Sequence, residues 1–347
     1  MRAVRLRRIV AATLVLAAVV FGWALFQPFA GDGGDPVRVS IPKEASVGEI
    51  ADILDERGVV SNASLFELRA TLGGDRSDLK PGVYELREDM SYGDAIETLV
   101  AGPSPDIVQL TIPEGLSRRE IAPLAARAGI RGDYLRASAG ASRINPREYG
   151  LRTDPESLEG LLFPATYELR RGASAGTLVS EQLAAFARNM SQVNESYART
   201  KNLTTWDVVT IASMIEREAQ VPAERKLVAA VLYNRLKQGM PLGIDATIRY
   251  ATGNWQQPLT RSQLAIDSPY NTRTNPGLPP GPIGNPGLAS LKAAARPARV
   301  GYLYYVVKPG TCGEHAFSST FAEFERDQQR YNQAREAAGG QSPTKCP

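Results

Sequence analysis

Ile211-Ala-Ser-Met-Ile-Glu-Arg-Glu-Ala-Gln220 sets two carboxylates into a segment that otherwise reads as a core helix. Val208, Val209, Ile211, Ala212 and Ile215 recur at helical spacing. Thr204, with Asp207 three residues on, forms an N-cap pair in which Asp stands in for the usual Glu or Gln. At ~3.6 residues per turn, Glu216 and Glu218 point about 200° apart and cannot share a face. Two solvated acids pairing with Arg217 or Arg225 is the plain reading. If the helix is packed on most sides, however, one acid points into something that uses it.

Downstream, Pro222 fits the first turn of a second helix that closes at Gly239. Leu227, Val228, Val231 and Leu232 make its buried face, and Tyr233-Asn-Arg235 fall in its last turns. Met240–Tyr250, Asp267–Thr272, Gly277–Pro282, Asn285–Gly287 and Gly313–Ser318 then supply amides, hydroxyls and flat rings on proline-stiffened loops. That is the composition of a carbohydrate groove.

Upstream, Val37 to Gly102 reads as strand, helix, helix, strand, helix. Ser46 and Ser91 are candidate caps, and Gly58 is a helix stop. Ile41-Pro42, Ser46, Glu49-Ile-Ala51 and Gly58 return 71 residues later as Ile112-Pro113, Ser117, Glu120-Ile-Ala122 and Gly129. A fixed offset of this kind suggests a duplicated strand–helix unit, although similar capped-turn chemistry can also converge on these residues. Residues 131–202 read as a mostly helical connection, with Leu158–Leu169 a turn entering a strand.

At the N-terminus, Ile9 to Phe26 is an uncharged run of 18 residues, just long enough for a hydrocarbon core ~30 Å thick. Arg2, Arg5, Arg7 and Arg8 precede it, and Asp32 and Asp35 follow. The positive-inside rule places the following chain outside the cytoplasm. The run exceeds the about 7–15 residues of a signal-peptide core, and Pro28-Phe-Ala30 matches a cleavage site poorly, so it reads as an uncleaved anchor. Residues 27–36 are then a short tether, at most ~35 Å long, that keeps the next domain near the bilayer.

The chain has 347 residues and a formal net charge of +3, so nothing in its charge calls for nucleic acid, and no nucleic-acid motif occurs. Two cysteines and one histidine are too few for a zinc site built from them. Cys312 and Cys346 form a disulfide only if the fold brings them close.

With these segments in view, the sequence resembles the YceG-like (MltG) family of membrane-anchored endolytic murein transglycosylases. The resemblance rests on Ala212–Glu218, Tyr233–Leu236, Ser268–Thr272, Gly277–Ile283 with Asn285-Pro-Gly287, and Leu158-Glu-Gly160 with Phe163-Pro164. It implies an α+β chain with a single N-terminal transmembrane helix, a small LysM-like α+β subdomain and a mixed α+β catalytic domain. The expected division is a cytoplasmic tip at 1–8, the transmembrane helix at 9–29, a tether at 30–36 and the LysM-like subdomain at 37–103. A connecting region at 104–202, the catalytic domain at 203–331 and a tail at 332–347, loose unless Cys346 is tied back, complete it.

The resemblance assigns catalysis to Glu218, with peptidoglycan glycan strands as substrate and no cofactor. Cleavage falls between MurNAc and GlcNAc and leaves a 1,6-anhydro end. Glu216 is the rival acid. Asn234, Tyr270, Asn271 and Asn285 are candidates for holding sugar hydroxyls or N-acetyl groups, Tyr250 for stacking on a pyranose, Asp245 for orienting or as a second carboxylate, and His315 as a groove residue. Wall-synthesis glycosyltransferases and transpeptidases are the expected protein partners, on the outer face of the cell (inner) membrane. Ala219, Gly243-Ile244, Ala165 and Glu314 depart from the family pattern and bear on substrate contacts. Two other readings stay open: a two-carboxylate muramidase-type hydrolase, and a tethered glycan-binding scaffold without chemistry.

Overall fold

The N-terminal run forms α1 (Arg2–Phe26). The structure, a computed structural model, describes residues 2–27, 34–103 and 107–346, with side chains from residue 10 onward. Most of the expected tether, residues 28–33, lies outside the described residues. Among the described residues no helix is long and apolar enough to cross a membrane.

The chain divides into two compact units, Met1–Asp106 and Ile107–Pro347. In the first, β1 (Pro36–Ile41) is followed by α2 (Val47–Glu56), α3 (Ala63–Gly73), β2 (Gly82–Arg87) and α4 (Tyr92–Ala101), the order read from the sequence. The strands pair antiparallel, with Val39 opposite Tyr84. Alternation sends Val39, Ile41, Tyr84 and Leu86 to one face, where they meet Ile50, Leu54, Phe66, Ile96 and Leu99. Ser46 and Glu49 complete a capping box, and Gly58 takes the left-handed φ of 70° that ends α2.

The second unit opens with β3 (Ile107–Thr111), α5 (Arg118–Arg127), α6 (Tyr134–Ala137), β4 (Thr166–Arg170), α7 (Ala175–Met190) and α8 (Ser196–Arg199). The repeat holds in three dimensions. Leu110, 71 residues after Val39, pairs with Tyr167 as Val39 pairs with Tyr84. Ser117 and Glu120 repeat the capping box. The second strand of each pair carries Tyr-Glu-Leu-Arg, at 84–87 and 167–170, and each tyrosine hydroxyl donates to the carbonyl four residues earlier. Insertions between the strands change the offset of this second match to 83, so no single spacing aligns both halves of the repeat.

There follow α9 (Thr205–Glu218), α10 (Arg225–Lys237), α11 (Asp245–Thr252), α12 (Arg261–Leu264), α13 (Leu288–Ala295), β5 (Tyr304–Val307), β6 (His315–Ser318) and α14 (Phe321–Ala337). No core boundary falls at residue 203. Leu110, Ile121, Leu161 and Phe186 join Val209, Ile211, Leu232 and Leu291 in one core, because α9 is buried along Trp206–Ile215 and the upstream residues are part of its wall. Two other expectations change. Asp245–Tyr250, read as loop, opens a helix, and the supposed tail from Asn332 begins inside α14. Cys346 is disulfide-bonded to Cys312, tying the chain end to the turn between β5 and β6.

Candidate active site

The last turn of α9 emerges from the core with Glu216, Arg217 and Glu218, and the three side chains have different fates. Glu216 accepts from Arg225 Nη2 at 3.1 Å and from the Gly287 amide at 2.9 Å, with its side chain 6% exposed. Arg217 pairs with Glu120, the capping acid of the second repeat, and its guanidinium lies 3.7 Å above the Trp255 ring. Glu218 is partly buried and accepts a hydrogen bond from Tyr305 Oη at 3.0 Å. Among the described residues no Lys or Arg pairs with it. Burial, reinforced by the negative charge of Asp245, raises its pKa, while Tyr305, His315 and the Ala246 amide pull the other way. The two acids expected on opposite faces thus have opposite environments. Glu216 is held as an ion pair, and Glu218 is kept toward its neutral form.

Two antiparallel strands, β5 and β6, bring Tyr305 and His315 to this carboxyl. Their rings meet edge to face at 5.2 Å. Burial, then the neighbouring Glu218 charge, drives the Tyr305 pKa far above that of an ordinary phenol, so it stays a donor. His315 Nδ1 lies 2.7 Å from Glu224 Oε2, and its backbone amide donates to Glu224 Oε1 at 2.9 Å. Asp245, at the first turn of α11, binds Arg273 through Oδ1 at 2.7 and 2.9 Å.

The three candidate asparagines turn inward. Asn234 donates to the carbonyls of Val300 and Tyr302, and Asn271 to those of Leu264 and Ile266. Asn285 accepts from the Leu162 amide and donates to Leu116 O and Glu159 Oε1. A buried amide without partners is costly, and here each loop supplies carbonyls that spend it.

Tyr250 and Tyr270 pack at 5.0 Å between centroids and, with Trp206, Arg119 and Glu159, line an open cleft of ≈ 570 Å³. Glu159 is 4% exposed and accepts from the Arg118 amide, Asn285 Nδ2 and Tyr250 Oη. Burial pushes its pKa up to about 7 against those hydrogen bonds. Asp245 beside Glu218 and Tyr250 in the cleft sit on one helix, ~7.5 Å apart along its axis at ~1.5 Å per residue. The arrangement suits a polymer, with a carboxyl of raised pKa at one end of α11 and an aromatic trough at the other.

Sequence reasoning missed Glu159, Glu224 and Tyr305. Glu159 carried a usable signal, an acid opening the apolar run Leu158–Phe163, the same anomaly noticed at Glu216 and Glu218. Tyr305 carried none, because a tyrosine in a short strand is ordinary. Two of the family departures are structurally quiet. Ala219 is the buried C-cap of α9, and Gly243 takes a φ of 67° with its amide on Thr272 O.

Residues 39–330 match the model of the YceG-like family. A Bacillus subtilis (strain 168) protein named endolytic murein transglycosylase is 30% identical over 346 residues, covering 92% of this chain and 91% of the relative. A Streptococcus pneumoniae (strain R6) protein of the same name is 34% identical over 300 residues, covering 78% of this chain and 54% of the longer relative. The crystal structure of a putative yceG-like protein from Listeria monocytogenes superposes with a TM-score of 0.56 at 30% identity, over 84% of this chain and 98% of that one.

Proposed function

The chain belongs to the YceG-like family, and from that premise we propose that it is an endolytic murein transglycosylase with Glu218 as both acid and base. The observation that carries the residue assignment is a partly buried carboxyl with a raised pKa, hydrogen-bonded to Tyr305 and free of any Lys or Arg ion pair among the described residues. Glycoside cleavage through water usually takes two carboxylates. Here the substrate supplies the nucleophile. Glu218 gives its proton to the glycosidic oxygen leaving MurNAc C1. The carboxylate then takes the proton of the MurNAc C6 hydroxyl as O6 bonds to C1. The C1–O4 bond is exchanged for C1–O6, the acid is regenerated, and no water is consumed. Such a cycle needs an acid still protonated near neutral pH, and burial acts in that direction.

Tyr250, Tyr270, Trp206 and Arg119 form the glycan trough in this reading, supported by the cleft they line. The buried Asn271 and Asn285, and the half-buried Asn234 on α10, brace the surrounding backbone rather than touching sugar. The first unit is a LysM-like module, supported by three helices, α2 to α4, and a two-stranded antiparallel sheet in the expected order. The uncharged run Ile9–Phe26, with arginines before it and aspartates after, supports an inner-membrane anchor with the catalytic unit on the outer face, beside wall-synthesis enzymes.

Incubating uncrosslinked glycan strands with the wild type and with Glu218→Gln, and weighing the products, tests the assignment. The wild type is expected to release anhydro-ended fragments, lighter than hydrolysis products by one water. The Gln variant is expected to fall at least ~10²-fold with its melting temperature retained. Hydrated ends would point to the muramidase chemistry, and continued release by the Gln variant would remove Glu218 from the reaction.

A further inference from the structure

Glu224 spends both of its carboxylate oxygens on one residue. Oε1 accepts the His315 backbone amide at 2.9 Å, and Oε2 lies 2.7 Å from His315 Nδ1. The two side chains are 11% and 7% exposed, and Glu224 forms no ion pair with Lys or Arg among the described residues. A buried carboxylate demands donors, and an ionised one can only accept. With an ionised Glu224 the hydrogen of this contact sits on Nδ1, which leaves Nε2 without a protein partner among the described residues. Two further contacts fix the ring plane, Tyr305 edge-on at 5.2 Å and Phe317 at 6.1 Å. Tyr305 is the residue whose hydroxyl holds Glu218. The order Glu224, His315, Tyr305, Glu218 therefore runs from the start of α10 across both strands to the catalytic carboxyl.

We propose that Glu224 is a positioning residue for this reaction: it fixes His315 as the Nδ1–H form, in one orientation, so that Nε2 presents a single hydrogen-bonding nitrogen to the sugar beside Glu218. The substrate group it suits is the attacking hydroxyl, which must be oriented before Glu218 can take its proton. A carboxylate that sets the tautomer and direction of an imidazole is a general device for this purpose. The proposal rests on the transglycosylase reading for its consequence, but its geometry does not depend on that reading. Of the charged and titratable groups, Glu218 on α9 and Tyr305 on β5 face His315 directly, while Arg235 on α10 and Asp245, itself paired with Arg273, act one step further out on Tyr305.

The chain has one histidine, so the imidazole nitrogens of the full-length, tag-free protein labelled with ¹⁵N-histidine report on His315 alone. In the wild type, near neutral pH, hydrogen is expected on Nδ1. In Glu224→Gln the Nδ1–H preference is expected to weaken, because an amide can meet Nδ1 as donor or acceptor. An unprotonated Nδ1 in the wild type overturns the proposal. For activity on glycan strands, Glu224→Gln is expected to lower kcat about tenfold with KM within about twofold, consistent with an interaction expressed in the transition state. In a His315→Gln background the same change is expected to do nothing more. Wild-type turnover by a folded Glu224→Gln, or a double variant whose loss is the product of the two single losses, overturns it. If Glu224→Gln fails to fold, Glu224→Asp takes its place with the same expected coupling to His315. Inactivity of the wild type would instead count against the transglycosylase reading, and the nitrogen spectra would still decide the tautomer.

Discussion

Replacing Tyr305 by Phe removes one oxygen from the site and leaves the ring that packs on His315 and Phe317. The lost hydroxyl donates to Glu218 Oε2 at 3.0 Å. A hydrogen bond to an ionised acceptor contributes about 1.5–3 kcal/mol, and one to a neutral acceptor about 0.5–1.5 kcal/mol. Tyr305 therefore favours the carboxylate over the acid by roughly 1.2 kcal/mol, or about one pKa unit at ~1.36 kcal/mol per unit. The sign follows. Without the hydroxyl the already raised pKa of Glu218 rises further, and the acid stays protonated to higher pH. The descending, alkaline limb of kcat/KM, which reports the essential acid of the free enzyme, is expected to move up by about one unit. Initial rates of anhydro-end formation across pH, read by mass spectrometry, make the comparison. An alkaline limb that stays in place or moves to lower pH would refute the idea that Tyr305 tunes this acid.

Three further outcomes follow from groups around the site. Glu216→Ala takes from Arg225, 15% exposed, its nearer acid and leaves it Ser290 Oγ at 3.1 Å and Glu114 at 4.0 Å, and is expected to destabilise the fold by roughly 2 kcal/mol in denaturant titration; a loss below about 0.5 kcal/mol would show that the pair holds nothing together. Glu159 has its folded pKa raised to about 7 against ~4.3 for an unfolded glutamate, so its contribution is fully present below about pH 4.3 and is lost as pH rises through 7. On the order of 3 kcal/mol of stability is at stake, and Glu159→Gln should flatten the fall in melting temperature over that window; equal slopes in both proteins would argue against it. Cys312 and Cys346 close a loop with a sequence separation of 34, for which chain entropy gives ~3–4 kcal/mol. Replacing both by Ser should speed hydrogen exchange in α14 ahead of α9, and unchanged exchange would mean that the clip is idle.

Much of the architecture was legible because it is local. Strand alternation, Ser-x-x-Glu caps and glycine stops report short-range chemistry, and the β1-to-α4 order followed from them. The duplication was half visible: the capped turns repeat at one offset, whereas the Tyr-Glu-Leu-Arg strands repeat at another. Domain limits were less legible. A boundary depends on which distant residues share a core, and Leu161 and Phe186 share theirs with Val209.

The sequence by itself determined that two acids leave α9 on opposite sides, since helix pitch alone sets that angle. Which acid has its charged form disfavoured was decided only by tertiary structure. Arg225 and the Gly287 amide reach Glu216, whereas Glu218 receives a phenol and an imidazole from the β5–β6 pair and, among the described residues, no Lys or Arg partner. The inward turn of Asn234, Asn271 and Asn285 has the same origin. Spacing along a chain fixes which way a side chain leaves its helix, but the price of burying a polar group is set by whichever distant donors and acceptors the fold brings to meet it.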